Sequence, residues 1–169
     1  KPLEEVAKIQ QELKHFNIKL LQPDIIKSEM DFSIQGGDLR YGLSQIKGIS
    51  DKTIEKLSRF KHEYSTKFEI FQGANEAGID IRTLNALIKA GSLGGYKCTR
   101  SRLVLEAAVW NILSDKEKNK AAELGQQFDY DLLKIVIELN KNVKDAKGKP
   151  FIKDSRFDTI KKHYQPAKE

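Results

Sequence analysis

Apolar residues recur at Val6, Ile9, Leu13 and Phe16, the three- and four-residue spacing that gathers side chains on one face of an α-helix. Pro2 near the start and Glu4 and Glu5 in the first turn suit a helix N-terminus, and the helix is expected to end near Asn17. The period then shortens. Ile18 to Leu21 reads as an extended stretch closed by Pro23. Residues 31–35 then face residues 38–41 across Gly36-Gly37, a pair that can take positive φ at both positions and so favours a tight hairpin.

From Leu43 the helical period returns. Leu43 and Ile46 precede a break at Gly48-Ile49-Ser50, after which Ile54, Leu57 and Phe60 form the inward face of a helix that Ser50 or Asp51 can cap. A loop is expected around residues 64–71. Asp80 is placed to cap a helix through Leu84, Leu87 and Ile88 that stops at Gly91. Thr99 or Ser101 then starts a longer helix carrying Leu103, Ala107 and Trp110, a stripe most simply read as core. Residues 114–127 are polar enough for a linker or a solvated helix. Leu132, Val136 and Leu139 indicate a helix from about Asp131, residues 141–149 a mobile loop, and residues 156–164 a last short helix. The fold class is therefore mainly α, with short amphipathic helices, one small β-hairpin and two glycine corners.

With 39% hydrophobic and 32% charged residues, the 169-residue chain can bury a modest core, because a chain of this size hides roughly 70% of its unfolded surface. That excludes global disorder. A single cysteine, Cys98, excludes a disulfide framework, and the three histidines are too scattered to join it as a zinc set. The longest apolar run, Leu132 to Leu139, is interrupted by Lys134 and Glu138 and falls far short of the roughly 20 residues a membrane crossing needs. The opening residue is Lys1 and the sole methionine is Met30, so the chain reads as a piece of a longer protein, expected in a reducing interior.

The sharpest local signal is Ile46-Lys47-Gly48-Ile49-Ser50-Asp51-Lys52-Thr53-Ile54, an apolar-Gly-apolar turn between helical segments. Glycine lets a ligand approach the backbone, and amides at the start of a helix lack intrahelical acceptors, so Gly48, Ile49 and Ser50 are candidates to donate to a phosphate oxygen. Lys47 and Lys52 can add charge, and Ser50 or Thr53 a hydroxyl. Gly91-Ser92-Leu93, followed by Lys97, Arg100 and Arg102, is the candidate second corner. No acid occurs from Leu39 to Ser50 or from Ile81 to Leu105, so both glycine breaks lie in locally positive segments within a net charge of +6. A glycine between helices also makes a plain helical corner without any ligand, and that reading stands beside the functional one.

Other constellations are weaker. Asp129-Tyr130-Asp131 has the acid-x-acid spacing of two-metal sites, yet it immediately precedes a helix that an Asp would cap, so a nuclease-type metal site is the less favoured reading. Cys98 lies near Lys97 and Arg100, which would lower its pKa, but no histidine base or second cysteine is nearby, and a passive thiol is expected. Trp110 and Phe128 can stack bases, though their leucine and valine neighbours favour packing. The tail lysines alternate with Asp145, Asp154 and Asp158 and read as solvated.

The ordered set Gln22-Pro23-Asp24-Ile25, Arg40-Tyr41-Gly42-Leu43, Ile46-Lys47-Gly48, Phe68-Glu69-Ile70-Phe71, Leu84 through Gly91 and Arg100-Ser101-Arg102-Leu103 resembles the C-family replicative polymerases, the alpha subunit of bacterial DNA polymerase III, over about residues 1–110. It departs from that family's pattern at Gln22, Ile26 and Ser50. The resemblance implies an end-of-fingers segment with the hairpin at residues 1–42, a tandem helix-hairpin-helix module at 43–113, and a helical extension of unassigned role at 114–169. It implies contact with the backbone of double-stranded primer-template DNA, with Arg40 facing template or nucleotide, and replisome subunits as partners of the longer protein. It also implies a bacterial cytoplasmic location and no membrane. The catalytic carboxylates of the family have no counterpart here, so no cofactor is expected in this chain, the magnesium ions belonging to the parent polymerase. The alternative is a protein-interaction module whose stripe from Leu103 to Ile112 docks a clamp, loader or proofreading partner.

Overall fold

The computed structural model describes residues 3–94, 96 and 98–163. Contacts gather the chain into two compact units, Lys1–Glu63 with Gly73–Gly95 and Tyr64–Gln72 with Tyr96–Glu169, and not at borders near residues 42 and 113.

In the first unit α1 (Leu3–His15) ends as its spacing predicts, with Asn17 in the left-handed region at φ 58°. Three short strands follow, β1 (Leu20–Leu21), β2 (Ser33–Gln35) and β3 (Asp38–Arg40), in the order β1-β3-β2. β2 and β3 form the expected hairpin, with Gly36 and Gly37 at φ 59° and 85°. The parallel pairing of β1 with β3 was not legible, because two residues carry no alternation to read. A buried hydroxyl fixes the approach to the sheet: Ser28 accepts from the Asp24 amide at 2.9 Å and donates to the Tyr41 carbonyl at 2.7 Å.

A 3₁₀ turn (Leu43–Gln45), a second 3₁₀ turn (Asp51–Thr53) running into α2 (Ile54–Phe60), the end of α3 (Lys67–Ala77) and α4 (Ile81–Lys89) complete this unit. Leu43, Leu57, Phe60, Leu87 and Ile88 are fully buried and form its core. Asp80 caps α4, accepting from the Thr83 amide at 2.9 Å, and Gly91 at φ 79° ends it, both as the sequence predicts.

The loop expected at residues 64–71 is instead the start of α3. Thr66-x-x-Glu69 is a capping signature: the Thr66 hydroxyl accepts from the Glu69 amide at 3.2 Å, and the Glu69 carboxylate reaches back to the Ser65 amide at 2.7 Å. The second unit takes α3 through Gln72, then α5 (Arg100–Ile112), α6 (Asp115–Leu124), α7 (Leu132–Lys141) and α8 (Asp154–Lys161). Each of α5, α6 and α7 carries a side-chain cap, from Thr99, Ser114 and Asp131 respectively. The α6 cap is a full capping box with Glu117, which turns the polar stretch into a helix.

The core of this unit is aromatic at one end. Phe68 packs 5.1 Å from Trp110 and edge-on 5.4 Å from Tyr130, with Phe71 5.7 Å from Trp110. Leu132, Ile135, Val136, Leu139, Ile152 and Ile160 continue it. Residues 142–149 form a loop, as the sequence predicts. A bridge between Lys144 and Pro150 closes them, and the Asp145 carboxylate accepts from the Lys147 and Lys149 amides at 2.8 and 3.0 Å. No helix among the described residues is long and apolar enough to cross a membrane.

Candidate nucleic-acid interface

Gly48 takes φ 95°, which an L side chain adopts only under strain, and a Cβ built there would lie 3.3 Å from that of Ala86 on α4. Buried Ile46 anchors one side of the turn, leaving Lys47 and Gly48 exposed. On the other side Ser50, at φ −95° and ψ 156°, occupies the N-cap without any side-chain capping bond. Thr53 donates both its amide (3.0 Å) and its hydroxyl (2.7 Å) to the Ser50 carbonyl. Among the described residues nothing accepts from the amides of Gly48, Ser50, Asp51 or Lys52, all on the exposed rim, and Lys47 and Lys52 form no ion pair.

One member of the expected donor set is corrected. The Ile49 amide donates to the Ile46 carbonyl at 3.1 Å, because a β-turn closes there, so it is spent inside the turn. The segment before the corner is also a single 3₁₀ turn where a helix was expected.

The second corner is corrected more fully. The Gly91 amide donates to Ile88, and the Ser92 amide and hydroxyl both donate to the Leu87 carbonyl, at 3.0, 3.2 and 2.7 Å. These are the bonds that finish a helix with a left-handed glycine. Ser92 and Leu93 are buried, and the Ser92 carbonyl accepts from the Ile25 amide. The Gly91 and Ser92 donors are therefore spent inside the fold, and Leu93 is buried away from a ligand.

The remaining candidates divide. Arg40 donates to the Gln35 side chain and to the Gln22 carbonyl, both at 2.9 Å, which commits its guanidinium to bracing the sheet. Arg100 is exposed in the first turn of α5. Arg102 reaches Asp131 at 2.8 Å and Glu106 at 3.3 Å. Lys97 lies outside the described residues. The Leu103, Ala107 and Trp110 stripe is buried in the second unit, so it is core and not a docking surface. Asp131 caps α7, accepting from the Lys134 amide at 3.2 Å, which is what its position before a helix predicts. Burial pushes the Cys98 thiol above its ordinary value, against the lowering expected from nearby cations.

The sequence reading missed a charged network. Fully buried Glu106 receives Lys67 Nζ at 3.0 and 2.9 Å on its two oxygens, Arg102 Nε, and the Leu132 amide at 3.0 Å. A signal was present: Glu106 shares the inward stripe of Leu103, Ala107 and Trp110, where an acid needs a partner.

A glycine turn with an exposed amide rim leading into α2 is an element of a helix-hairpin-helix protein. A helix-hairpin-helix family model matches residues 17–103, and the chain belongs to that family. Among curated proteins it is similar to the DNA polymerase III subunit alpha of Pseudomonas aeruginosa (31% identical over 94 residues, 53% of this chain and 8% of that one) and of Campylobacter jejuni (33% over 107 residues, 60% and 9%). The same subunit of Helicobacter pylori is 28% identical over 137 residues, 73% of this chain and 11% of that one. The chain thus spans about a tenth of the length of these relatives. No solved structure matches it.

Proposed function

We propose that this chain is a section of a bacterial replicative DNA polymerase alpha subunit that grips the sugar-phosphate backbone of primer-template duplex without reading sequence. The observation that carries this reading is the Gly48 corner, where unspent amides at Ser50, Asp51 and Lys52 meet the unpaired cations Lys47 and Lys52. Amides that open a helix accept an anion readily, and contacts to phosphate position a protein on DNA without specifying bases. The names of the similar proteins support the replicative setting. In this reading the section positions duplex and holds no catalytic carboxylates. The fingers location, magnesium, other replisome subunits and the cytoplasm belong to the longer polymerase.

The test is fluorescence anisotropy of labelled duplex with the full chain at several salt concentrations. Log affinity should fall with log salt at a slope of about −0.9 per phosphate neutralised, equally for unrelated sequences. Lys47→Ala/Lys52→Ala should flatten the slope by about two such increments. A flat salt response in the native chain would overturn the reading.

A second reading, a protein-interaction module, is favoured by Phe16, Ile26 and Ile34, which are 70%, 48% and 80% exposed on the first unit. It calls for salt-insensitive binding to a protein and loss of that binding in Ile34→Asp.

A further inference from the structure

The positive charge of this chain is not centred on the hairpin. Residues 64–72 and 96–169 hold 17 Lys and Arg against 12 Asp and Glu, whereas the unit that carries the Gly48 corner holds 13 against 12. Within the more basic unit lies an open cavity of about 960 Å³. That size is at the upper end for small-ligand sites. Its wall combines Lys134, Ile137 and Lys141 of α7 with Phe157 and Lys161 of α8, and with Phe128 from the turn before α7.

The spacing is regular. Lys134, Ile137 and Lys141 stand at i, i+3 and i+7 on one face of α7, which sets the two ammonium stems about 10 Å apart along the axis. Phe157 and Lys161 stand at i and i+4 on α8. Each helix therefore presents a cation next to an apolar surface.

The cavity's carboxylates do not neutralise these lysines. Glu106 is fully buried and satisfied by Lys67, Arg102 and the Leu132 amide. Asp131 is held by Arg102 and by the amide it caps. Asp129 is the third carboxylate of the wall. Lys134, Lys141 and Lys161 form no ion pair among the described residues. Phe128 and Phe157 are half-buried, so part of each ring faces the opening.

From this arrangement we infer that the cavity binds single-stranded nucleic acid, with backbone phosphates on Lys134, Lys141 and Lys161 and unpaired bases against Phe128 and Phe157. Cations tracking a backbone beside aromatic rings that take bases face-on is the general solution for binding a strand without sequence preference. A duplex keeps its bases stacked away from such rings, and an acidic peptide would use the lysines but not the rings. The inference is independent of the hairpin reading, because it uses residues of the other unit only.

The experiment measures anisotropy of fluorescein-labelled oligothymidylate with the full chain, beside an abasic oligomer of equal length and a duplex. Lys134→Ala/Lys141→Ala/Lys161→Ala should weaken oligothymidylate binding about tenfold or more and flatten its salt slope by about two, at about 0.7 per phosphate. The corresponding triple Arg variant should retain binding, and unchanged far-UV circular dichroism verifies folding. Phe128→Leu/Phe157→Leu should weaken oligothymidylate about fivefold or more while leaving the abasic oligomer unchanged. Bound oligothymidylate should also slow alkylation of Cys98, which lines the same cavity. Equal binding of abasic and normal oligomers, displacement by polyglutamate as effective as by oligothymidylate, or no protection of Cys98 would each overturn the inference.

Discussion

Lys67 of α3 and Glu106 of α5 form a two-pronged ion pair, Nζ lying 3.0 and 2.9 Å from the two carboxylate oxygens, with both side chains inside the second unit. Burying either charge alone is costly, so each partner is worth more as the other's counterion than as a source of net stability. Lys67→Met leaves the carboxylate only Arg102 and the Leu132 amide as partners and should destabilise the chain by about 3–5 kcal/mol in urea unfolding. Lys67→Met/Glu106→Leu should recover most of that loss. A double variant no better than the single one would show that Glu106 is needed for its bond to the Leu132 amide and not for the pair.

Three glycines should rank by what surrounds them. A Cβ on Gly42 would sit 2.4 to 2.7 Å from backbone atoms of Met30 and Asp31, which cannot move without breaking the approach to the sheet. One on Gly125 would meet the Tyr130 ring at 2.6 Å, and Gly37 has open space around it but φ 85°. Gly37→Ala should cost about 1 kcal/mol from conformation alone, Gly125→Ala about 1–3 kcal/mol from overpacking, and Gly42→Ala the most. Thermal melts of the three variants check the order, and Gly42→Ala matching Gly37→Ala would refute it.

Glycine signals and caps were the part of this fold that the sequence disclosed well. Gly36-Gly37, Asp80, Gly91, Thr99 and Asp131 each act through a local rule, and each stands where that rule puts it. The start of α3 was missed because its apolar residues crowd together at Phe68, Ile70 and Phe71, which obscures the period that Thr66 and Glu69 announce. The second corner shows the opposite limit. Gly91 has the positive φ that its sequence context implies, but whether such a turn is open or buried is a tertiary matter, decided here by the Ile25 amide closing on Ser92. The lysine-rimmed cavity was hidden for the same reason, since α7 and α8 are brought together by tertiary packing and by the Asn140 side-chain amide donating to Asp154.

Acid should weaken the chain through two carboxylates in particular. The Thr83 amide holds Asp80 below the ordinary aspartate range. Burial alone would raise Glu117, but hydrogen bonds from Arg156 and from Ser114 outweigh it and hold Glu117 low as well. A folded pKa below the unfolded one adds stability that is complete above the unfolded value, near 4, and is lost as pH falls through the folded value. The melting temperature should therefore drop on going below about pH 4. Glu117→Gln should start lower at pH 7 and fall less steeply with acid. A parallel curve for the variant would remove Glu117 from the account.

Cys98 should be a slow thiol. Burial raises its pKa chiefly, with Lys67 and Arg102 only partly offsetting it, so the thiolate is scarce at neutral pH. Alkylation by iodoacetamide in the native chain should run well below the rate of a free cysteine at pH 7.5 and climb past the ordinary thiol value, near 8.5. Fast labelling at neutral pH would contradict the burial that sets this pKa.

Ser50 offers a substitution whose effects on stability and on DNA binding should carry opposite signs. It occupies an N-cap yet makes no capping bond, which leaves the amides of Asp51 and Lys52 outward. An aspartate there can accept from those amides and complement the helix dipole, so Ser50→Asp should stabilise by about 0.3–1 kcal/mol. The same carboxylate takes the place of the phosphate oxygen and repels its neighbours, so duplex affinity should fall about tenfold or more. Ser50→Gly keeps the amides open and should change both quantities by only a few tenths of a kcal/mol. A Ser50→Asp chain that is more stable and still binds duplex like the native one would show that the corner's main-chain donors take no part in holding DNA.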